Sequence, residues 1–391
     1  MSMDNKVPEI RFKGFSGAWI QENISNIAPL QRGFDLPKNL IKVGAHPVVM
    51  SNGVNGFHNA FKAKAPGVVT GRSGTIGNIH YIDVDYWPHN TSLWVTNFHK
   101  NVPLFIYYLY VKLDLKRFGT GSGVPTLNRN DVHVQSVALP KDSKEQTAIG
   151  NYFQKLDTLI NQHQQKHDKL SNIKKAMLEK MFPKPGETIP EIRFKGFSGE
   201  WVENNLGELI DIRSAARVHK EQWTEAGVPF FRTSDVVSIY KGQENTKAYI
   251  SHEIYHGLSE KIGKVTKDDL LITGGGSIGI PYLVPNDSPL YFKDADLLWL
   301  KNNEKFNGYF LYTFFFSVSF KQHIKSISHT GTIAHYTIEQ AKATPINACS
   351  DEEQTTIGNY FQKLDALINQ HQQQISKLNN IKQACLSKMF I

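Results

Sequence analysis

Two long stretches of the chain place apolar residues at every third or fourth position, which is the spacing of one face of an α-helix. They cover residues 143–182 and 351–390, and neither contains a proline. Each predicts a helix of about 30 to 38 residues, roughly 45 to 55 Å long at 1.5 Å per residue. Two such similar apolar stripes are most easily buried against each other, so the sequence predicts an antiparallel coiled coil. The stripe residues are Ile149, Phe153, Leu156, Ile160, Leu170, Met177 and Met181 in the first stretch and Phe361, Leu364, Ile368, Ile375, Leu378, Cys385 and Met389 in the second.

Two further stretches, here called the first insert (about 20–142) and the second insert (about 202–350), alternate short β-rich runs with turns of Gly, Asn, Asp and Pro. Each insert also contains one aromatic-rich segment with helical spacing, at 103–118 and 306–326. The predicted fold class is therefore α/β (α+β). Two globular domains are separated by two long antiparallel helices, with an internal pseudo-two-fold repeat.

Two blocks of sequence occur twice, and their spacing indicates how the chain is organised. The block Pro8–Gly17, here called the box, returns intact as Pro190–Gly199 at an offset of 182. Residues 143–182 align with 351–390 without a gap and match at 29 of 40 positions, at an offset of 208. The inserts between box and helix keep an apolar strand running into a Gly-rich turn and little else. A duplicated frame with diverged contents favours a protein that holds two different recognition domains. It argues against a duplicated catalytic centre, which would need the same side chains in both inserts.

Composition and charge narrow the functional class. Hydrophobic residues make up 40% of the 391 residues, and the apolar runs are shorter than the roughly 18 residues of a membrane-spanning helix. The N-terminal residues show no secretory signal, and Cys349 and Cys385 are too few for a disulfide framework, so we expect a cytoplasmic protein. The formal net charge of +8 and the pI near 9.1 favour a polyanionic partner such as nucleic acid.

The order of motifs resembles the specificity subunits of type I restriction-modification systems along nearly the whole chain. The residues that carry the likeness are Val137-Ala-Leu-Pro140 leading to Glu145-Gln146 and Ile149, Thr344-Pro-Ile346 leading to Glu353-Gln354 and Ile357, and the glycine turns Thr70-Gly-Arg-Ser-Gly74 and Thr273-Gly-Gly-Gly-Ser-Ile-Gly279. Each approach is followed by one copy of the repeated helix. The second approach departs from the family pattern, because Asn347-Ala-Cys-Ser350 replaces a proline-rich lead.

The resemblance implies a division into four segments. These are a first target-recognition domain (1–142), a first conserved spacer helix (143–182), a second target-recognition domain (183–350) and a second spacer helix (351–391). Each recognition domain would read one half of a bipartite, asymmetric site in double-stranded DNA, and the helices would set the spacing between the halves.

The resemblance also implies partners. Two methyltransferase (modification) subunits would dock on the helices, and restriction/translocase subunits would join them, with no membrane involved. S-adenosylmethionine, ATP and Mg are expected on those partner subunits, and no cofactor is expected in this chain.

Candidate DNA contacts lie on the glycine-rich loops, because base readout needs side chains that reach base edges and phosphate contacts need hydroxyls, basic groups or free N–H groups. Arg72 is the strongest candidate, since a guanidinium on an exposed turn can pair with guanine through two hydrogen bonds. Such loops also often serve only to turn the chain. The candidates are Arg72, Ser73, Thr75, Asn78, Thr120, Ser122, Thr126 and Asn128 in the first insert, and Arg232, Thr233, Ser234, Thr273, Ser277, Thr330, Thr332, His335 and Tyr336 in the second.

The helices carry the candidate positions for spacing and partner docking. These are Phe153, Leu156, Ile160, Leu170, Met177, Phe361, Leu364, Ile368 and Leu378. His163 and His371 occupy the same position in the two copies, and a polar residue in a helix seam more often sets register than binds a metal. No metal site and no catalytic residue are predicted.

Two other functions remain open on the sequence alone. A self-contained DNA methyltransferase is suggested by Phe118–Gly123, which superficially matches a cofactor loop. The chain lacks the Asn-Pro-Pro-Tyr or Asp-Pro-Pro-Tyr tetrapeptide and a Walker A motif, however. A structural coiled-coil adaptor would explain the helices but would leave two loop-rich domains without a purpose. Salt-dependent DNA binding separates the adaptor from a DNA reader.

Overall fold

The computed structural model describes residues 7–121, 123–327 and 335–391, which form two compact units. The first unit joins the chain up to Gln165 with Gln372–Ile391, and the second is Lys166–His371. Each insert thus shares its unit with parts of both long helices. The four segment boundaries given above stay a prediction.

The first unit contains the first insert. Its strands are β1 (Ile20–Asn23), β2 (Leu30–Arg32), β3 (His46–Met50), β4 (Gly53–His58), β5 (Gly67–Gly71), β6 (Ile79–Ile82), β7 (Trp87–Pro88), β8 (Ser92–Val95), β9 (Gly119–Thr120), β10 (Thr126–Leu127) and β11 (Ser136–Leu139). Its helices are α1 (Ile24–Ile27), α2 (Pro103–Leu113), α3 (Arg129–His133) and the first part of α4 (Ser143–Lys180), with 3-10 turns at Lys38–Leu40 and Leu115–Phe118.

The strands of the first unit form several sheets, with the most apolar strand inside the largest one. β5 is buried at every position and lies inside a sheet of order β2-β8-β5-β6. β4, β3 and β7 form a smaller sheet, while β1 pairs with β11 and β9 pairs with β10. The aromatic helix α2 packs Phe105 against Trp19 and Phe390, so the insert, the box region and the end of the chain share one core.

The second unit contains the second insert. Its strands are β12 (Val202–Asn205), β13 (Asp211–Arg213), β14 (Trp223–Thr224), β15 (Val228–Phe231), β16 (Tyr249–Ile250), β17 (Leu270–Thr273), β18 (Pro281–Leu283), β19 (Tyr291–Phe292), β20 (Leu297–Lys301) and β21 (Pro345–Ala348). Its helices are α5 (Leu206–Leu209), α6 (Thr233–Lys241), α7 (His252–Ile262), α8 (Gly308–Phe314), α9 (Val318–Ile327), α10 (Ile338–Lys342) and the first part of α11 (Asp351–Met389), with a 3-10 turn at Lys220–Gln222.

The two inserts share a strand plan that their sequences hide. The sheet β13-β20-β17-β18 repeats the order β2-β8-β5-β6, and β12 pairs with β21 as β1 pairs with β11. In the smaller sheets, β15 lies parallel to β19 as β3 lies parallel to β7. The helices α6 and α7 of the second insert stand where the first insert has only the β3–β4 turn and the link from β4 to β5. They account for most of the extra length of the second insert.

The aromatic-rich helices differ from their predicted bounds. The segment predicted at 103–118 ends as a helix at Leu113 and continues as the 3-10 turn. The segment predicted at 306–326 is divided into α8 and α9. The Ser317 hydroxyl accepts a hydrogen bond from the Phe320 N–H at 3.2 Å, and this contact starts the second helix.

The two long helices have 38 and 39 residues, which corresponds to about 57 to 59 Å of rise each. In the first unit the start of α4 runs antiparallel to the end of α11, because Tyr152 lies by Cys385 and Asp157 by Lys382. In the second unit the end of α4 meets the start of α11, with the Lys174 ammonium 2.5 Å from the Asp365 carboxylate. The predicted antiparallel pairing is confirmed within each unit. None of the described helices is both long and apolar enough to cross a membrane.

Candidate nucleic-acid interface

The two glycine-rich loops predicted in the first insert lie side by side. The Arg72 N–H donates to the Thr91 carbonyl at 2.9 Å, and the Leu127 N–H donates to the Arg72 carbonyl at 2.8 Å. Ser73 forms an antiparallel bridge with Thr126. Among the described residues, the hydrogen bonds that hold the loop after β5 are made by backbone groups, which leaves its polar side chains available.

The predicted side chains of this surface differ in exposure and use. Arg72 is half-buried, and in the part of the chain that the structure describes its guanidinium forms no hydrogen bond or ion pair. Asn128 is exposed, but its side-chain oxygen accepts the Asn130 N–H at 3.1 Å and so caps α3. Thr75 and Thr120 are exposed, while Ser73, Asn78 and Thr126 are half-buried. Ser122 lies outside the described residues.

The second insert repeats this construction. The Gly274 N–H donates to the Asp296 carbonyl and the Tyr336 N–H donates to the Gly274 carbonyl, both at 2.8 Å. Gly275 forms an antiparallel bridge with His335, as Ser73 does with Thr126. Thr330 and Thr332 lie outside the described residues.

Two of the residues predicted to contact DNA in the second insert are buried instead. Thr273 is 0% exposed, and its hydroxyl accepts the Ile280 N–H at 2.9 Å and donates to the Ser277 carbonyl, so it closes the turn. Tyr336 is 1% exposed, its hydroxyl lies 2.6 Å from the Thr344 hydroxyl, and burial raises its pKa. Their burial contradicts a role in DNA contact.

Arg232, a further predicted contact, is neutralised within the chain. Its guanidinium donates to both carboxylate oxygens of Asp235, at 2.8 and 3.1 Å, and lies over the Trp223 ring. The hydrogen bond that Arg232 donates to the Asp235 carboxylate raises the pKa of Arg232. The Thr233 hydroxyl donates to the Asp296 carbonyl at 3.2 Å, which joins the start of α6 to the residue that precedes β20.

Three of the predicted contacts in the second insert remain exposed. They are Ser234, Ser277 and His335.

One ion pair with a buried carboxylate joins each box to a long helix. Sequence reasoning missed both of these ion pairs. Arg11 donates to both carboxylate oxygens of Glu145 at 2.7 Å, and Arg193 donates to both of Glu353 at 2.6 Å. The two glutamate residues are 2% and 1% exposed. The sequence did contain a signal for these ion pairs, because the Arg and Glu residues are identical in both copies. Neither residue type is apolar, so neither belonged to the apolar pattern.

The boxes also close the ends of the helices. The Ile10 N–H donates to the Lys388 carbonyl at the end of α11, and the Ile192 N–H donates to the Lys180 carbonyl at the end of α4. In the first unit a box from the beginning of the chain thus lies on a helix from its end.

The glutamines of the Glu-Gln motifs tie the inserts to the helices. The Gln146 side-chain oxygen accepts the Val102 N–H at 2.8 Å, and that of Gln354 accepts the Asn307 N–H at 3.2 Å. About three turns further along each helix, the Tyr108 and Tyr309 hydroxyls donate to Asp157 and Asp365 at 2.8 and 2.6 Å. These carboxylates also meet the lysines of the opposite helix, so insert and helix pair share one polar network in each unit.

The predicted helix positions divide between the two units. Phe153, Leu156 and Leu378 lie in the core of the first unit, and Leu170, Met177, Phe361 and Leu364 lie in that of the second. Ile160 and Ile368 are half-buried. Among the described residues, no group of three His, Cys, Asp or Glu side chains could hold a metal ion.

Duplicated loops on a duplicated frame define a protein with two similar domains that carry different loop side chains. The chain belongs to the family of type I restriction modification DNA specificity domains, whose model matches residues 18–172 and 198–380. The predicted membership is confirmed.

Individual relatives agree with this membership. A Haemophilus influenzae protein, named as type I restriction enzyme specificity subunit S.HindORF215P, is 27% identical over 167 residues. That match covers 42% of this chain and 40% of the relative. The crystal structure of a type I restriction-modification S subunit from M. genitalium superposes with a TM-score of 0.64 at 17% identity, over 98% of this chain and 99% of the other. This likeness shows that the fold is shared.

Proposed function

We propose that this chain is the DNA sequence-specificity subunit of a type I restriction-modification complex. In this proposal each insert is a target-recognition domain that reads one half of a bipartite, asymmetric site. The observation that carries it is the repeated loop pair, in which the same backbone hydrogen bonds present different side chains. A scaffold that keeps its backbone and varies its exposed groups is what reading two unlike half-sites requires.

The side chains on these loops have the chemistry that base and phosphate contact needs. In the first insert the half-buried Arg72 stands on the loop, its guanidinium unpaired among the described residues, and it can bond bidentately to guanine O6 and N7. In the second insert hydroxyls and an imidazole, on Ser234, Ser277 and His335, take its place. Buried Thr273 and Tyr336 and neutralised Arg232 are left out of this proposal as base readers.

The long helices would set the spacing between the half-sites. α4 begins in the first unit and ends in the second, and α11 does the reverse. Inserting one turn of four residues into α4 between 155 and 175 is therefore expected to lengthen the non-specific gap while both half-sites stay unchanged. Methylome sequencing measures the gap, and an unaltered gap would overturn the spacing role.

Catalysis is assigned to partners in this proposal. Two modification subunits would dock on the helices and carry S-adenosylmethionine, and restriction subunits would carry ATP and Mg. The chain itself supplies no reacting group.

Reconstitution tests the proposal against a self-contained methyltransferase and a structural adaptor. The purified chain is mixed with a random-sequence DNA library and S-adenosylmethionine, with and without its modification subunit, and methylated positions are sequenced. We expect methylation only in the mixture with the modification subunit, at one bipartite motif with two different halves. Methylation by the chain alone would support the methyltransferase. If the modification subunit methylated the same positions with and without this chain, the result would support the adaptor.

A further inference from the structure

Three basic side chains stand around the loop of the first insert, and they belong to none of the contacts proposed above. Lys116 and Arg117 lie on the 3-10 turn Leu115–Phe118, and Arg129 is the first residue of α3. All three are exposed. In residues 7–121, 123–327 and 335–391 none of the three forms an ion pair or a side-chain hydrogen bond, although the Arg117 guanidinium lies 4.6 Å from the centre of the Phe118 ring.

Backbone contacts place these residues at the two ends of the loop. At the end of the loop, a Cβ built on Gly77 would lie 2.6 Å from the Lys116 backbone nitrogen. At its start, the Arg72 carbonyl accepts the Leu127 N–H, two residues before Arg129. The segments that carry the basic groups thus lie at the two ends of the loop that bears Arg72, with Asp114 and Asp131 as the acidic residues in the same segments.

The second insert has neutral groups at two of the three corresponding places, and at the third the exposed Lys321 follows Phe320 as Arg117 follows Lys116. Gly279 donates its N–H to the Thr273 carbonyl as Gly77 does to the Gly71 carbonyl. The group packed over Gly279 is the Phe320 ring, 3.1 Å from a built Cβ, where Lys116 packs over Gly77.

The remaining correspondence lies at the short helix after the second loop. Ile338 is the first residue of α10, which Thr337 caps, as Asn128 caps the helix that Arg129 begins. Across the whole inserts, residues 20–142 contain 12 basic and 7 acidic residues, whereas residues 202–350 contain 15 and 16.

We propose that Lys116, Arg117 and Arg129 form a phosphate collar around the first loop, and that the first insert supplies most of the salt-dependent affinity for DNA. The proposal rests on the function proposed above and adds an asymmetry to it. The collar holds the DNA backbone without regard to sequence, while the second insert contributes selectivity with little electrostatic attraction. Each phosphate contact releases counterions, so the slope of log K against log salt measures their number at about 0.9 per phosphate.

The test compares charge removal in the two inserts of the full-length chain. The collar variant carries Lys116→Gln, Arg117→Gln and Arg129→Gln, and the matched control carries Lys220→Gln, Lys261→Gln and Lys264→Gln, which are exposed residues of the second insert. Binding to a short random-sequence duplex is measured from about 50 to 200 mM salt. We expect the slope to fall by about 2 to 3 in the collar variant and by less than about 1 in the control.

A gain-of-charge variant guards against a merely unfolded protein. Ile338 is half-buried against the core of the second unit. Ile338→Arg places a guanidinium at the position that corresponds to Arg129, and a folded variant is expected to steepen the slope by about 0.9. Circular dichroism melting confirms that each variant is folded.

Each outcome bears on a separate claim. An unchanged slope in a folded collar variant, or equal losses in collar variant and control, would overturn the collar while leaving the proposed function intact. A collar variant that keeps its DNA affinity but loses the modification subunit would assign the surface to a protein partner and would also overturn it. A wild-type chain that does not bind DNA would contradict the proposed function itself.

Discussion

The first insert places Arg72 on the loop after its central buried strand, and the second insert places Gly274 at the same point of the same hydrogen-bond pattern. The difference extends to the space around the residue. A Cβ built on Gly274 would lie 2.9 Å from the Tyr336 carbonyl oxygen, so the second loop has little room for a side chain there. The backbone hydrogen bonds therefore fix the position of this loop residue in both inserts, and the local packing decides which side chain can stand there.

The frame around the inserts shows the opposite behaviour. The ion pair between Arg11 and Glu145 has the same partners and the same bidentate geometry as that between Arg193 and Glu353. Identical sequence at the box and helix keeps this side-chain ion pair, whereas the diverged sequence in the inserts keeps the strand order and the backbone hydrogen bonds of the loops. Function that must be common to both halves belongs to the frame, and function that must differ belongs to the inserts.

The largest expected effect is on the stability of the frame. Glu353→Ala leaves the Arg193 guanidinium without its buried partner and should lower the free energy of unfolding by about 3 to 5 kcal/mol. Glu145→Ala should cost a similar amount, because the two sites are alike. Urea denaturation measures both losses, with the exposed neighbour Glu352→Ala as the control. A loss below about 1 kcal/mol, as for a surface ion pair, would contradict the account.

A smaller effect is expected on DNA selectivity. Arg72→Ala removes the guanidinium from the first loop and should reduce discrimination at one position of one half-site by about 1 to 3 kcal/mol. The other half-site should be read as before, since its loop has no arginine at this point. Competition binding with duplexes altered in one half at a time measures the change. Equal losses for both halves would show that the inserts do not read separately.

The smallest expected effect concerns Asn128, whose two possible roles can be separated. Asn128→Ala removes the cap of α3 and should cost about 1 kcal/mol of stability, whereas Asn128→Ser keeps a capping oxygen and should cost less. Thr337, the corresponding cap in the second insert, should respond in the same way to Thr337→Ala. Thermal melting gives the stability, and methylome sequencing gives the motif. A motif that changes in the folded Asn128→Ser variant would restore Asn128 as a DNA contact.

The sequence predicted those parts of the fold that depend on periodic apolar residues. The long helices, their antiparallel pairing and the two loops could be predicted in this way, because the spacing of apolar residues and the glycine content indicate local structure directly. The common strand order was not, since β5 and β17 share little beyond an apolar run. Strand order depends on pairing between distant segments, which no local pattern records.

The candidate site was predicted in part for a related physical reason. Residue type identified Arg72, but it could not distinguish an exposed threonine from one such as Thr273, whose hydroxyl closes its own turn. Nor could it show that Arg232 has a carboxylate partner three residues away, because the pairing depends on how α6 begins. The basic residues around the first loop were missed because the 3-10 turn and α3 approach that loop only through tertiary contacts.

Methylome sequencing of a host that expresses the modification subunit with an altered chain tests the central claim most directly. In the altered chain residues 20–142 replace residues 202–350, so that both frames hold the first insert. If each insert reads its own half-site, the methylated motif should be bipartite with the first half-site's sequence in both halves. A motif that keeps its original second half would contradict the account.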